Sequence, residues 1–274
     1  MPEFGPLVSA EWLRDHRGEP DLRVVDLRWK LGGPPGREGY DAGHLPGAVF
    51  IDLDRDITAP SGPGRHPIPS REQFQAAMRR AGVNRGDRVV AYDDAGGSVA
   101  ARLWWLLRFF GHERAAVLDG GLQAWGQPLE VEAPAPAPGP GDFEAAEPNR
   151  AQVVDRHGLH GLLLDARAPE RYRGEVEPVD PKAGHIPGAR SAFWQGSLDE
   201  RQHFKAGEEL RQRFRDLGVE SGEEVIAQCG SGVNAAHVLL ALELAGFKGA
   251  RLYEGSWSDW SSHPDAPVAT GPEP

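Results

Sequence analysis

Cys229 is the one cysteine among 274 residues, and it follows a short apolar run, Val225-Ile226-Ala227-Gln228, just ahead of Gly230-Ser231-Gly232 and a helical pattern from Val233. A strand that breaks into glycines and then a helix is an elbow. It aims loop N–H groups and the positive end of the helix at one thiol, and both favour the thiolate, the reactive form of cysteine. The sulfur is expected at the mouth of that loop. Gly230 and Gly232 carry no Cβ and tolerate positive φ, so the loop can curl around a sulfur atom. The N–H groups of Gly230, Ser231, Gly232, Val233 and Asn234 form the candidate cradle. Ser231 has two uses open to it, a hydrogen bond to a leaving group or a local bond within the turn. A lone cysteine is ordinarily an inert core residue, so its chemistry needs support from elsewhere in the chain.

That support comes from an internal repeat. Leu22-Arg23-Val24-Val25-Asp26-Leu27-Arg28 answers to Leu162-Leu163-Leu164-Asp165-Ala166-Arg167, and Gly43-His44-Leu45-Pro46-Gly47-Ala48 answers to Gly184-His185-Ile186-Pro187-Gly188-Ala189. Gly82-Val83 through Val90-Ala91 then parallels Gly218-Val219 through Ile226-Ala227, and Leu118-Asp119-Gly120-Gly121 with Trp125 parallels Tyr253-Glu254-Gly255-Ser256 with Trp260. By this alignment Asp93 occupies the position of Cys229. A core position would take an apolar residue in the other copy; an Asp there predicts a polar, accessible elbow, and with it a reactive Cys229.

The elements that must position these residues are βα units. Each half alternates short β-branched runs with helical segments, which predicts two α/β domains, each a mostly parallel sheet flanked by helices. Ser70 followed by Gln73 marks a capping-box start ahead of Phe74, Ala77 and Met78 on one helix face. The helix after Cys229 sets Val233, Ala236, Leu240 and Leu244 on one side, against the sheet, and stops at Gly246. Leu103 to Phe110, in the equivalent helix of the first half, is more apolar than one stripe requires, leaving part of it to cover a domain interface. Between the halves, a proline-rich stretch from Val131 to Gly141 has neither helical nor strand period and reads as an extended connector. The expected domains are residues 1–130 and 149–274, with a linker over 131–148.

Composition narrows the partners. A net charge of −11 argues against nucleic acid and against anionic membrane surfaces, leaving small molecules or proteins. No stretch approaches the length of a membrane span, and Met1 to Pro6 has no basic or apolar leader character, so a cytoplasmic protein is expected. One cysteine forms no internal disulfide, and a reactive thiol lasts best in a reduced compartment. The 10 His show no ligand spacing and no cofactor fingerprint is present, so neither metal nor cofactor is expected.

With these residues in view, the chain resembles the tandem-domain rhodanese-type sulfurtransferases over nearly its whole length. The resemblance rests on the two Gly-His-(Leu/Ile)-Pro-Gly-Ala segments, Tyr92-Asp93 followed by Trp104-Trp105 and Gly111-His112, Leu118-Asp119-Gly120-Gly121, and the Cys229-Gly230-Ser231-Gly232-Val233 loop. It implies two rhodanese-like domains, the first non-catalytic and the second catalytic. It also implies a ping-pong reaction in which Cys229 takes sulfur from an anionic donor, thiosulfate or 3-mercaptopyruvate, and passes it to cyanide or a thiol. Thioredoxin-like proteins are expected among the acceptors, and a monomer is expected. Arg171, in the family's Arg-Tyr/Phe position, is the implied donor-binding guanidinium, whereas Arg167 and Arg173 are expected in ion pairs on a loop or helix surface. His44 and His185 read as turn residues; His44 also corresponds to a histidine that, in the mercaptopyruvate branch, approaches the cleft and could relay a proton with Ser231.

The uncharged loop after Cys229 favours mercaptopyruvate over the dianion thiosulfate, since each missing cation removes Coulombic help. Two departures keep thiosulfate open: Asn234 stands for the usual threonine, and the stretch Glu175 to Asp180 lacks the second arginine that binds the mercaptopyruvate carboxylate, with Val179 or Asp180 near its position. A phosphatase of related topology needs an arginine six residues after the cysteine, where this chain has Ala235. A non-catalytic persulfide carrier for sulfur delivery is the alternative that the sequence leaves standing.

Overall fold

The computed structural model describes residues 4–131 and 140–274, so the centre of the expected linker, residues 132–139, lies outside the described residues. The chain divides into two compact units. The first comprises Met1–Ala59, Pro69–Asn149 and Arg201–His203, and the second Pro60–Ile68, Arg150–Glu200 and Phe204–Pro274. Each unit therefore takes in a short segment from the other half of the sequence.

The two sheets share one topology. In the first unit, β1 (Leu7–Val8), β2 (Leu22–Asp26), β3 (Val49–Phe50), β4 (Arg88–Tyr92) and β5 (Ala115–Leu118) are ordered β1-β5-β4-β2-β3. In the second, β6 (Val153–Val154), β7 (Leu162–Asp165), β8 (Arg190–Ser191), β9 (Val225–Gln228) and β10 (Arg251–Tyr253) are ordered β6-β10-β9-β7-β8. Every pairing is parallel. A parallel sheet covered by helices on both faces needs apolar side chains on both faces of its inner strands, and all four residues of β5 and of β9 are buried. The registers match as well: Asp26 lies beside Tyr92 on β4, and Asp165 beside Gln228 on β9.

Local sequence explains the flanking helices. Ser70 Oγ accepts from the Gln73 N–H at 3.1 Å and starts the helix Arg71–Arg80, which buries Phe74, Ala77 and Met78. Gln73 Nε2 donates to the Thr58 carbonyl at 2.7 Å and ties the helix start to that residue. The helix Val233–Leu244 ends at Ala245, and Gly246 follows at φ 84°. It is buried on nearly all sides rather than on one face, as its unbroken run from Ala235 to Leu242 requires. Among the described residues, no helix is long and apolar enough to cross a membrane, and no cluster of three or more His, Cys, Asp or Glu is placed to hold a metal ion.

Candidate active site

Cys229 follows directly on β9, an inner strand of the second sheet, at the carboxyl end where open α/β sheets place ligands. Its backbone is fixed from the turn after β10. Cys229 N donates to Ser256 Oγ at 3.1 Å, Trp257 N donates to the Cys229 carbonyl at 2.9 Å, and Ser258 N donates to the Gly230 carbonyl at 2.9 Å. Ser256 is fully buried and sits at φ 53°, a strained region for a residue with a Cβ that surrounding bonds must enforce. The sulfur accepts from Ser231 N at 3.4 Å and Gly232 N at 3.1 Å, and Gly232, at φ 82°, turns the chain into the helix from Val233, whose first turn includes Asn234. Cys229 is only 1% exposed, so the sulfur lies at the floor of the loop rather than at its mouth.

The first unit shows what such a loop holds when sulfur is replaced by a carboxylate. Asp93 follows β4, and its Oδ1 accepts from the N–H groups of Ala95 and Gly97, its Oδ2 from those of Val99 and Ala100, all at 2.7–2.9 Å. Burial raises its carboxyl above the ordinary pKa, outweighing the opposite pull of the four donors. The expectation of polarity at this elbow holds, but that of accessibility does not: Asp93 is fully buried, because the backbone donors replace water.

Beside Cys229 stand two guanidiniums. Arg171, from the short helix Pro169–Tyr172, is held by Glu177 at 2.7 Å and Asp180 at 3.2 Å. The second is Arg65, in the segment Pro60–Ile68, paired with the other oxygen of Asp180. A Cβ on Gly230 would lie 3.0 Å from Arg65 Nη2 and 3.4 Å from Arg171 Nη1, so both cations reach the residue next to the cysteine. Sequence reasoning found Arg171 and missed Arg65. The stretch Glu175 to Asp180 lacks a second arginine as read, yet its Asp180 holds one from far away in sequence. Burial raises the Asp180 carboxyl above its usual range, with Arg65 the leading opposing influence.

His66, next along that segment, lies with Nδ1 2.7 Å from Ser231 Oγ. The Ser231 hydroxyl thus bonds a side chain rather than the backbone of its own turn. The ring that meets Ser231 is His66, a residue that sequence reasoning did not single out. His44 is buried in the first unit, stacked on Tyr40 with centroids 3.9 Å apart, and its Nδ1 bonds the Tyr40 carbonyl at 2.8 Å. His185 makes the same contacts with Tyr172, at 3.8 Å and 2.8 Å. Both Gly-His-Pro segments use the ring to lock a turn, as the turn reading expects.

The segment of Arg65 and His66 is clamped to the turn that holds the cysteine. Arg65 N donates to Ser258 Oγ at 3.1 Å and Ile68 N to Glu254 Oε1 at 2.8 Å. Arg167 is structural but not a surface residue. It is 3% exposed, bonds Asp165 and the Gly184 carbonyl at 2.7 Å each, and lies 4.5 Å over the Trp257 ring. Arg173 forms the expected exposed pair with Glu175 at 2.7 Å.

Comparison with known proteins agrees with this architecture. The Rhodanese-like domain family matches residues 9–128 and 149–263. A probable 3-mercaptopyruvate sulfurtransferase of Pseudomonas aeruginosa is 44% identical, covering 97% of this chain and 98% of its own. SseB of Mycobacterium tuberculosis, named as a thiosulfate sulfurtransferase, is 41% identical over 93% of this chain and 92% of its own. The crystal structure of SseA from Escherichia coli, described as a 3-mercaptopyruvate sulfotransferase, matches with a TM-score of 0.81 and 36% identity, over 92% of this chain and 99% of that one. With both halves matched in order and two sheets of one topology, the chain belongs to the rhodanese family, as a tandem of two rhodanese-like domains.

Proposed function

We propose that this enzyme, a sulfurtransferase of the 3-mercaptopyruvate and thiosulfate type, carries sulfane sulfur as a persulfide on Cys229. The observation that supports this most directly is the sulfur of Cys229 on two loop N–H groups with Arg65 and Arg171 converging beside it. The guanidiniums hold the anionic end of the donor. Cys229 Sγ attacks the outer sulfur, the donor's bond to that sulfur breaks, and its electron pair leaves with the pyruvate enolate or with sulfite. The persulfide's terminal sulfur is anionic and rests on the loop N–H groups. Cyanide or a thiolate then attacks that sulfur, and the S–S electron pair returns to Cys229.

The charge balance favours mercaptopyruvate. Arg65, Arg167 and Arg171 face Asp165, Glu177 and Asp180 in ion pairs, so the site offers directional donors but little net positive charge. A dianion gains less there than a monocarboxylate. An enolate leaving group also needs a proton, which the Ser231–His66 pair is placed to handle, whereas sulfite needs none.

Residues 149–274 carry the catalytic domain in this reading, residues 1–130 the non-catalytic one, and 131–148 the linker, with Pro60–Ile68 the first half's contribution to the catalytic unit. The protein acts as a cytoplasmic monomer on small donors, with thiols, cyanide or thioredoxin-like proteins as acceptors; a chain whose single thiol must stay free suits a reduced compartment. Cys229→Ser should abolish turnover and the mass gain of one sulfur atom after donor treatment. Ser231→Ala should cut kcat with mercaptopyruvate by about 10²-fold or more while sparing thiosulfate. Cyanide-dependent turnover in Cys229→Ser would sink the persulfide; sulfur loading without turnover in the unaltered protein would make it a carrier.

A further inference from the structure

The first unit keeps a pocket at its own copy of the site. It has a volume of about 420 Å³ and is lined by Arg28, Trp29, Lys30, Pro34, Pro35 and Asp94, with Gly39 at its wall. Two of its residues have counterparts in the second unit. Arg28 corresponds to Arg167: each is nine-tenths or more buried, each bonds the aspartate two residues before it, and each donates through Nη2 to a glycine carbonyl, Gly43 or Gly184, at 2.7 Å. Gly39 corresponds to Arg171, since both precede a tyrosine that stacks on the Gly-His-Pro histidine and donates to the carbonyl of Ala48 or Ala189.

The difference lies at Nη1. In the second unit Arg167 Nη1 faces the buried carboxylate of Glu177 at 3.5 Å, which also binds Arg171. In the first unit Arg28 Nη1 makes no hydrogen bond among the described residues and lies 3.4 Å from where a Cβ of Gly39 would be. The chain itself supplies a carboxylate to one copy of this guanidinium edge. In the other copy, the same edge opens on a pocket.

We propose that this pocket binds a small organic monocarboxylate with a flat apolar body. Its carboxylate takes the place that Glu177 holds in the other unit, against Arg28 Nη1 and within reach of the exposed Lys30. The body lies along Trp29, whose ring is anchored by its Nε1 bond to Asp54 at 2.9 Å, and against Pro34 and Pro35. Asp94 is exposed at the rim, so a second negative charge on the ligand is repelled, which selects a monoanion over thiosulfate. No chemistry is implied, since Asp93 holds the nucleophile's position, and the site stands independently of the reaction proposed for Cys229.

Phenylpyruvate, a 2-oxo acid without transferable sulfur, is the probe, titrated calorimetrically into the full chain. Binding in the millimolar range or tighter is expected. Gly39→Asp, which gives Arg28 an internal carboxylate, should abolish it, and Lys30→Ala should weaken it about two- to five-fold. Arg171→Ala should leave it unchanged, and thiosulfate should not displace it. Gly39→Asp should retain sulfur-transfer turnover, which separates this site from the one at Cys229. If Gly39→Asp fails to fold, Lys30→Glu at an exposed position serves in its place and should also abolish binding. Absence of binding, binding that survives both variants, or binding lost in Arg171→Ala overturns the proposal.

Discussion

Replacing Arg65 tests the reading of the site most severely, because its partner Asp180 lies 115 residues away in sequence and its two roles can be separated. As a donor-binding cation, Arg65 contributes a charge-assisted contact worth about 1.5–3 kcal/mol. Its side chain is 26% exposed, so the lower part of that range applies, about 1.5–2 kcal/mol, or a 10- to 30-fold loss in kcat/KM for anionic donors. As an ion-pair partner, Arg65 also neutralises Asp180, which is 3% exposed. Removing one partner of a buried pair costs about 3–5 kcal/mol, but Arg171 stays 3.2 Å from Asp180, so Arg65→Ala should cost nearer 1–2 kcal/mol of stability. Asp180→Asn in the Arg65→Ala background removes the buried charge and should restore most of that stability without restoring donor kinetics. Gly230→Ala gives an independent check. The nearest atoms its new methyl meets are guanidinium tips, at 3.0 and 3.4 Å, so donor KM should rise while stability stays within about 0.5 kcal/mol. The assay is kcat/KM for 3-mercaptopyruvate and thiosulfate with one acceptor, beside urea melts of each variant. Unchanged donor kinetics in Arg65→Ala, or donor kinetics recovered by Asp180→Asn, would show that Arg65 only supports the fold.

Two further predictions concern the first unit. Asp93→Ala leaves four buried N–H groups without an acceptor and should destabilise the protein by about 3–5 kcal/mol, while the folded fraction keeps its turnover; a loss in urea melts below about 1 kcal/mol would refute the four-donor cradle. Burial lowers the His112 pKa below its ordinary 6.5. In the window between that lowered value and 6.5 the unfolded chain binds the extra proton. Stability should therefore rise with pH by at most about 1.4 kcal/mol per unit and be lost as pH falls. His112→Phe should flatten the slope in melts from pH 5 to 8, and an unchanged slope would assign it to another group.

What the sequence revealed was whatever repeats or is local. Asp93 and Cys229 were aligned by flanking β-strand patterns, and the structure puts both at equivalent elbows because the sheets share their strand order. Ser70 as an N-cap and Gly246 after the helix were readable because capping involves neighbours three or four residues apart. Arg65 and His66 were not, since their partners Asp180 and Ser231 lie 115 and 165 residues away and no periodicity reports such a contact. A weaker signal was present. Gly62-Pro63-Gly64-Arg65-His66-Pro67 has no copy in the second half, and a cation and a histidine fixed between glycines and prolines make an unusual connector. For His44 the motif was legible but the environment was not, since its stacking on Tyr40 depends on how the turn packs.

Under the reaction proposed for Cys229, the two elbows together explain how a buried sulfur can serve as a nucleophile. In the first unit the loop aims four N–H donors at one buried acceptor group. In the second unit the donors at Ser231 and Gly232 already meet the thiol sulfur. In the persulfide proposed for Cys229, the added sulfur carries the charge beyond the cysteine sulfur, and both arginines reach the neighbouring Gly230. The pairing of those arginines with Glu177 and Asp180 then has a definite consequence: the cations are held in place by carboxylates rather than left for the persulfide to capture. A bare pair of guanidiniums would bind the terminal sulfur tightly and slow its departure. Neutralised ones can orient an incoming donor and still release the sulfur to an acceptor, since only interactions stronger in the transition state than in the resting intermediate accelerate its transfer.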